Sequence, residues 1–137
     1  MTTQTSLLAV SSLQVKNFKA IRDSGCLTFT PLTVFVGNNG VGKSSLVEAL
    51  EAVYMMASDG LDAAIDGRWR GFEYIRNQGI EHTHTEGVDG NALAINPISF
   101  QIEGRVRDHV SSSRSGYAFK ATSEITADPR KNTVSYY

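Results

Sequence analysis

The chain has 137 residues, which is enough for one domain with a hydrophobic core. Thirteen basic residues against fourteen acidic ones give a formal net charge of −1, which excludes a globally basic surface that would bind nucleic acid or membranes by charge alone. The single cysteine, Cys26, excludes an internal disulfide and favours a reducing compartment. We therefore expect a cytoplasmic protein without a signal peptide or a membrane-spanning segment.

The first predicted element is an extended segment. Residues 7–10 and 13–21 are predicted to be extended, with Leu13 and Val15 on one face and Gln14 and Lys16 on the other. The alternation breaks near Asn17, which predicts a bend or a β-bulge there.

Two more strands are predicted before the first glycine-rich stretch. An Asp-Ser-Gly turn at 23–25 precedes a strand over 27–30, which together with the first segment predicts a hairpin. Pro31 is compatible with the first position of a strand, because a first residue can spare its N–H group. The apolar, β-branched run 32–36 then predicts a short buried strand.

Residues 37–44 fit the pattern G-x-x-x-x-G-K-[ST] without a mismatch. Glycines at this spacing let backbone N–H groups turn inward around phosphate oxygens, and the following helix N-terminus adds partial positive charge. Lys43 would reach the β- and γ-phosphates, and Ser44 would supply a hydroxyl ligand to Mg²⁺. The alternative is a glycine-rich turn with an incidental lysine, but the predicted order of strand, loop and helix favours a nucleotide-phosphate site.

A helix of about four turns is predicted directly after this loop. Apolar residues recur at helical spacing and predict one stripe against the sheet, and Gly60 is a credible stop. The predicted stripe consists of Leu46, Val47, Leu50, Val53, Tyr54 and Ala57.

The middle of the chain offers two ambiguous patterns. Residues 68–76 interleave arginines with aromatic residues, which could stack bases and hold phosphates. We favour packing of Trp69, Phe72 and Ile75 against the domain with solvated arginines. Residues 79–91 are polar and predict a loop. Within it, His82 and His84 are too few for a zinc site.

The C-terminal part alternates again. Strands are predicted over 98–106 and 117–125 and from 133 to the end, joined by a serine-rich loop at 111–116 and a turn at 128–132. This order predicts an antiparallel meander. The last strand is cut off without a cap, so we expect the sequence to be part of a longer protein.

Residues 13–20 (LQVKNFKA) and 32–50 (LTVFVGNNGVGKSSLVEAL) together carry a family resemblance. They resemble the N-terminal lobe of the ABC-type ATPases of the RecF, SMC and OLD (overcoming lysogenization defect) group. The likeness is close over 10–57 and weaker over 70–77 and the meander at 92–137. It implies an α/β fold, a P-loop NTPase lobe with a mixed core sheet plus an antiparallel β-subdomain, and one ATP-binding domain over 1–137.

The same resemblance implies ATP and Mg²⁺ as cofactors. In this family the loop amides from Asn39 onward surround the β-phosphate, Ser45 lies near the α-phosphate, and a basic residue at the position of Lys19 approaches the nucleotide; a solvated hairpin lysine is the alternative there. The implied nucleotide contacts are Gly37, Asn38, Asn39, Gly40, Val41, Gly42, Lys43, Ser44, Ser45 and Lys19, with Ser44 also on the metal.

Departures from the family matter as much. A complete enzyme of this group has an apolar strand ending in Asp-Glu, a serine-glycine signature and a switch histidine. Residues 63–66 lie too close to the loop helix to be that strand, and 111–116 imitate the signature only in composition. The resemblance therefore implies ATP hydrolysis only in a longer chain or with a second lobe, in a protein of DNA repair, chromosome maintenance or nucleic-acid defence.

Two other function classes share the loop. A small-molecule P-loop kinase would need a pair of lid arginines and an acceptor-site carboxylate, and the long meander argues against it. A non-hydrolysing module would bind ATP only to fix a shape that a partner recognises.

Overall fold

The structure is a computed structural model, and it describes residues 7–79, 85–86, 92–93, 96–107, 117–128 and 133–136. Its elements, in chain order, are β1 (Leu7–Phe18), β2 (Ile21–Asp23), β3 (Leu27–Thr28), α1 (Lys43–Asp59), a π-helical turn (Ala63–Arg68), a 3₁₀ turn (Phe72–Tyr74), β4 (Thr85–Glu86), β5 (Ala92–Leu93), β6 (Ile98–Arg107), β7 (Tyr117–Asp128) and β8 (Thr133–Tyr136).

The main structural unit is a six-stranded sheet. Its strand order is β2-β1-β6-β7-β8, with β3 also on β1, while β4 and β5 form a separate pair. The predicted meander is confirmed as β6, β7 and β8, which pair antiparallel in sequence order. The predicted mixed core sheet is not found, because every strand pairing within the described residues is antiparallel.

The predicted N-terminal hairpin forms with a different turn. Phe18 pairs with Ile21, so the chain reverses at Lys19 and Ala20. Asn17 and Lys19 have φ of 58° and 48°, which confirms the predicted bend near Asn17. The predicted turn at 23–25 does not reverse the chain but lies between β2 and β3, which both pair with β1. Within it, the N–H of Ser24 donates a hydrogen bond to the carbonyl of Val15 on β1 at 2.9 Å.

Asp23, at the end of β2, interacts with Gln14 and Lys16 on β1 and with the N–H of Gly25. Hydrogen bonds donated by the Gln14 side chain and the N–H of Gly25, helped by Lys16, lower the pKa of this carboxyl below its ordinary 3.8. A lowered folded-state pKa means that the carboxylate stabilises the hairpin at neutral pH, and that this contribution is lost as the pH falls through the folded pKa.

The prediction of a buried strand over 32–36 is wrong for this structure. The segment lies outside the strands, and Leu32, Val34 and Val36 are 81%, 71% and 90% exposed. A strand is stabilised by ladder hydrogen bonds and side chains of its neighbours. No strand within the described residues pairs with 32–36, so this segment does not form a strand despite its β-branched, apolar sequence.

Helix α1 begins directly after Gly42 and ends at Asp59, so Gly60 is confirmed as the stop. Its fully buried residues are Ser45, Ala49 and Ala52, with Leu46, Leu50 and Val53 packed beside them. The predicted stripe is therefore rotated, because Val47 and Tyr54 are 57% and 72% exposed. Small residues therefore make up the buried face of the helix.

The core is centred on Phe18. Its ring lies edge-on to Trp69 at 6.3 Å and to Phe100 at 5.3 Å between centroids. Trp69 is 7% exposed and Ile75 is 1% exposed, which confirms the packing interpretation of this segment and leaves the Trp69 ring unable to stack on bases. Arg68 and Arg70 are exposed, as expected, but the expectation is wrong for Arg76, whose side chain is 24% exposed and paired with Glu73.

Some predictions lie outside the described residues: His82, His84, the serine-rich loop at 111–116 and most of the turn at 128–132. Among the described helices, none is long and apolar enough to cross a membrane.

Candidate phosphate-binding site

The loop between residues 37 and 42 is shaped by its glycines. Gly40 and Gly42 have φ of 88° and 95°, in the left-handed region that other residues avoid. At Gly37 an added Cβ would lie 3.0 Å from Val41, tighter than nearly all real contacts. The sequence therefore folds here into a tight loop that a larger side chain would disturb.

Lys43 is the first residue of α1, and its side chain folds back over this loop. Its Nζ donates hydrogen bonds to the carbonyl oxygens of Gly37 and Asn38, each at 2.6 Å. The ammonium is thereby fixed at the mouth of the loop, where a charged donor can meet an anion.

The helix N-terminus contributes further donors. The first intrahelical hydrogen bond runs from the N–H of Leu46 to the carbonyl of Gly42 at 2.9 Å, so the N–H groups of Lys43, Ser44 and Ser45 lie outside the helical ladder. The first turn carries no acidic side chain. Ser44 is exposed, whereas Ser45 is 7% exposed, so only Ser44 offers its hydroxyl to solvent.

Lys19 lies at the hairpin turn beside the loop. Its Nζ is 2.6 Å from Glu48 on α1, and it lies 5.9 Å and 5.8 Å from the ring centroids of Phe18 and Trp69. The alternative of a solvated hairpin lysine is wrong, because this ammonium is paired and its side chain is only 22% exposed.

A cavity of about 430 Å³ opens next to this turn. It is lined by Lys19, Ala20, Tyr74, Arg76, Asn77, Gln78 and Gly79. Ala20 links it to the loop, since a Cβ built on Gly42 would lie 3.9 Å from the Ala20 side chain. The two cations of the cavity, Lys19 and Arg76, are paired with Glu48 and Glu73, and the exposed ring of Tyr74 offers a face to a planar group.

Asn77 holds the bend in place, and sequence reasoning missed it. Its N–H donates to the carbonyl of Asn17 at 3.0 Å, its Nδ2 donates to the carbonyl of Lys19 at 2.8 Å, and its Oδ1 accepts from the N–H of Gly79 at 2.9 Å. The N–H of Lys19 also donates to the carbonyl of Ile75 at 2.7 Å. The side-chain bond from Asn77 to Lys19 alone spans 58 residues, so no local pattern indicates these contacts.

Replacing Asn77 should therefore loosen the bend. In Asn77→Ala the carbonyl of Lys19 and the N–H of Gly79 lose their partners, and we expect the free energy of unfolding to fall by about 1–3 kcal/mol. Urea denaturation of both proteins measures this. Asn38→Ala is the control, since its side chain lies on the exposed loop, and it should change stability by less than about 0.5 kcal/mol. Equal stability of Asn77→Ala and wild type would contradict the assignment.

Residues 63–66 lie in a π-helical turn and not in a strand, so they do not form the Asp-Glu strand that would position a metal, as the sequence predicted. Asp66 lies on the π-helical turn and is exposed. Within the described residues, no cluster of three acidic, histidine or cysteine side chains is arranged to hold a metal. The donor set found here is thus one of amides, ammonium groups and a hydroxyl.

Comparison with known proteins gives a match to one family. The family described as "AAA ATPase domain" matches residues 9–93, which is more than half of the 137-residue chain. The matched part contains β1 from residue 9 onward, β2, β3, the loop, α1 and the segment around Asn77 that holds the bend. Searches among curated proteins and among solved structures found no match.

Proposed function

Because this chain belongs to the AAA ATPase domain family, we propose that it binds Mg-ATP through the loop at 37–42 and the first turn of α1. The observation that carries the proposal is the position of Lys43, whose ammonium is held over the loop by the carbonyls of Gly37 and Asn38. A charge fixed in this way costs little further ordering when a phosphate arrives.

The residues of the loop fit a triphosphate. Gly40 and Gly42 adopt the left-handed conformations that let neighbouring amides converge, and the free amides of α1 add to them. The loop residues 37–41 are exposed and accessible. In this assignment Lys43 carries the β- and γ-phosphates, Asn38, Asn39 and the glycines line the phosphate chain, and the amide of Ser45 lies towards the α-phosphate.

The cavity beside Ala20 would hold the base or ribose. The exposed ring of Tyr74 and the side-chain oxygen of the exposed Gln78 can contact a planar polar group, and inorganic phosphate needs neither of them. Isothermal titration with ATP and with inorganic tripolyphosphate, both with Mg²⁺, tests this part. We expect ATP to bind at least about tenfold more tightly, and equal affinities would mean that the site recognises only phosphate.

Magnesium is assigned to Ser44, the exposed hydroxyl of the first helical turn. Mg²⁺ would neutralise charge on the phosphate oxygens while keeping several waters. In Ser44→Ala the backbone cradle stays, so we expect weaker ATP binding with Mg²⁺, by about 5–50-fold, and nearly unchanged binding with a chelator. Titrations of both proteins under the two conditions measure this. The same loss in both would remove Ser44 from the metal site.

The wider role is proposed from the family resemblance. We assign the domain over 1–137 to an ABC-type ATPase of the RecF, SMC and OLD group that works in the cytoplasm on nucleic acid. The bend at Asn17–Lys19 beside the loop and the β6–β8 meander support this assignment. Hydrolysis would then use a carboxylate and a signature segment supplied elsewhere, with a second lobe as the partner, because residues 63–66 do not supply the carboxylate.

A direct binding assay tests the central proposal. Fluorescent ATP titrated into the purified protein with Mg²⁺ should give saturable binding that unlabelled ATP competes away. Absence of saturable binding by the folded protein would contradict the proposed function.

A further inference from the structure

An ion pair joins the hairpin turn to the loop helix. Lys19 Nζ lies 2.6 Å from Glu48 Oε2, with the side chains 22% and 34% exposed. The lysine ammonium also lies within 6 Å of two aromatic rings, at 5.9 Å from Phe18 and 5.8 Å from Trp69. The pair is thus partly shielded from water, which makes it stronger than an ordinary surface pair.

The position of Glu48 is unfavourable for an anion-binding helix. It lies five residues after Lys43, about 7.5 Å along α1 from the helix N-terminus. A carboxylate at that distance repels a bound polyphosphate, and the pairing with Lys19 offsets its charge. Lys19 also lines the cavity beside the loop, within reach of a ligand that occupies it.

We propose that Glu48 competes with the phosphates of the nucleotide for Lys19, so that the ion pair restrains the affinity of the site. In the structure the ammonium is paired with Glu48. When a polyphosphate enters the loop, the ammonium moves to it or is shared with it, and part of the binding free energy is used to break the original contact. This inference rests on the proposed nucleotide binding and gives Glu48 a regulatory position in the same site.

The test is the dissociation constant for Mg-ATP in Glu48→Gln. Removing the carboxylate releases Lys19 and one negative charge near the phosphates, so we expect affinity to rise by about three- to tenfold in a low-salt buffer. A pair with only a structural role would give the opposite sign, because loosening the turn lowers affinity. Unchanged or weaker binding by folded Glu48→Gln overturns the proposal.

Glu51→Gln is the matched control. Glu51 lies on the same helix and is also ion-paired, with Arg68 at 3.1 Å, but one helical turn farther from the loop. Its affinity should stay within about twofold of the wild type. An equal gain in both variants would mean that helix charge alone sets the affinity, and would overturn the competition for Lys19.

A double variant tests whether Lys19 reaches the ligand. If the released ammonium contacts phosphate, Lys19→Met combined with Glu48→Gln should bind at least about tenfold more weakly than Glu48→Gln alone. Equal binding of the two would overturn the proposal. The absence of ATP binding by the wild type would instead contradict the nucleotide site itself, so the two failures are distinguishable.

Discussion

We expect Lys43→Ala to lower the affinity for Mg-ATP by about 10–150-fold, because in the proposed site it removes a charge-assisted contact worth about 1.5–3 kcal/mol. The substitution leaves the loop carbonyls of Gly37 and Asn38 without the ammonium that now bridges them. Titration of a labelled ATP analogue against both proteins, with Mg²⁺ present, measures the change. The loss should exceed that of Ser44→Ala, because the lysine carries a full charge and the serine only a hydroxyl.

Lys16→Ala is the control for that loss of charge. Lys16 is an exposed lysine of β1 that faces Asp23 at 3.7 Å, away from the loop. Its removal lowers the net charge by the same amount, and we expect less than a twofold change in affinity. Equal affinity of Lys43→Ala and wild type would remove the loop lysine from the site.

Phe18→Ala should have the largest effect on stability. The ring is 0% exposed and lies edge-on to both Trp69 and Phe100, so its deletion leaves a cavity at the junction of β1, β6 and the segment after α1. We expect a loss of about 3–5 kcal/mol in the free energy of unfolding. Since small domains are stable by about 5–15 kcal/mol, the variant would be marginally folded. Urea denaturation followed by circular dichroism measures it.

Two companion variants make this result specific. Tyr117→Ala removes a ring that is 78% exposed, and it should change stability by less than about 0.5 kcal/mol. Phe18→Leu keeps most of the volume and should lose only about 1–2 kcal/mol, enough to remain folded for binding assays. A loss below about 1 kcal/mol for Phe18→Ala would contradict the central place of this ring.

The loop and its helix were predictable from the sequence because their determinants are local. The left-handed positions of Gly40 and Gly42, and the end of α1 before Gly60, are properties of single glycines next to a periodic helix. The meander was predictable for the same reason, since alternation along each strand decides which face is buried. Neither inference needed knowledge of distant partners.

The rest of the site depends on contacts between distant residues. The Lys19–Glu48 pair and the bonds of Asn77 to the bend join parts of the chain separated by 29 and 58 residues, and nothing in the local sequence marks Asn77 as buried. The pairing of β1 with β6 is longer still, with Val15 opposite Phe100. The buried face of α1 also differs from the predicted stripe. Packing against the rest of the domain buries Ala49 and Ala52 and leaves the larger Val47 and Tyr54 exposed.

The exposed run at 32–36 has a practical consequence for handling the protein. Residues 24–42 contain no charged side chain, so nothing repels a second molecule from the three exposed side chains Leu32, Val34 and Val36. Association through apolar surface weakens on cooling and strengthens on warming. Solutions kept in the cold should therefore remain clear and turn turbid on warming at temperatures below the unfolding transition, and low urea should delay the turbidity.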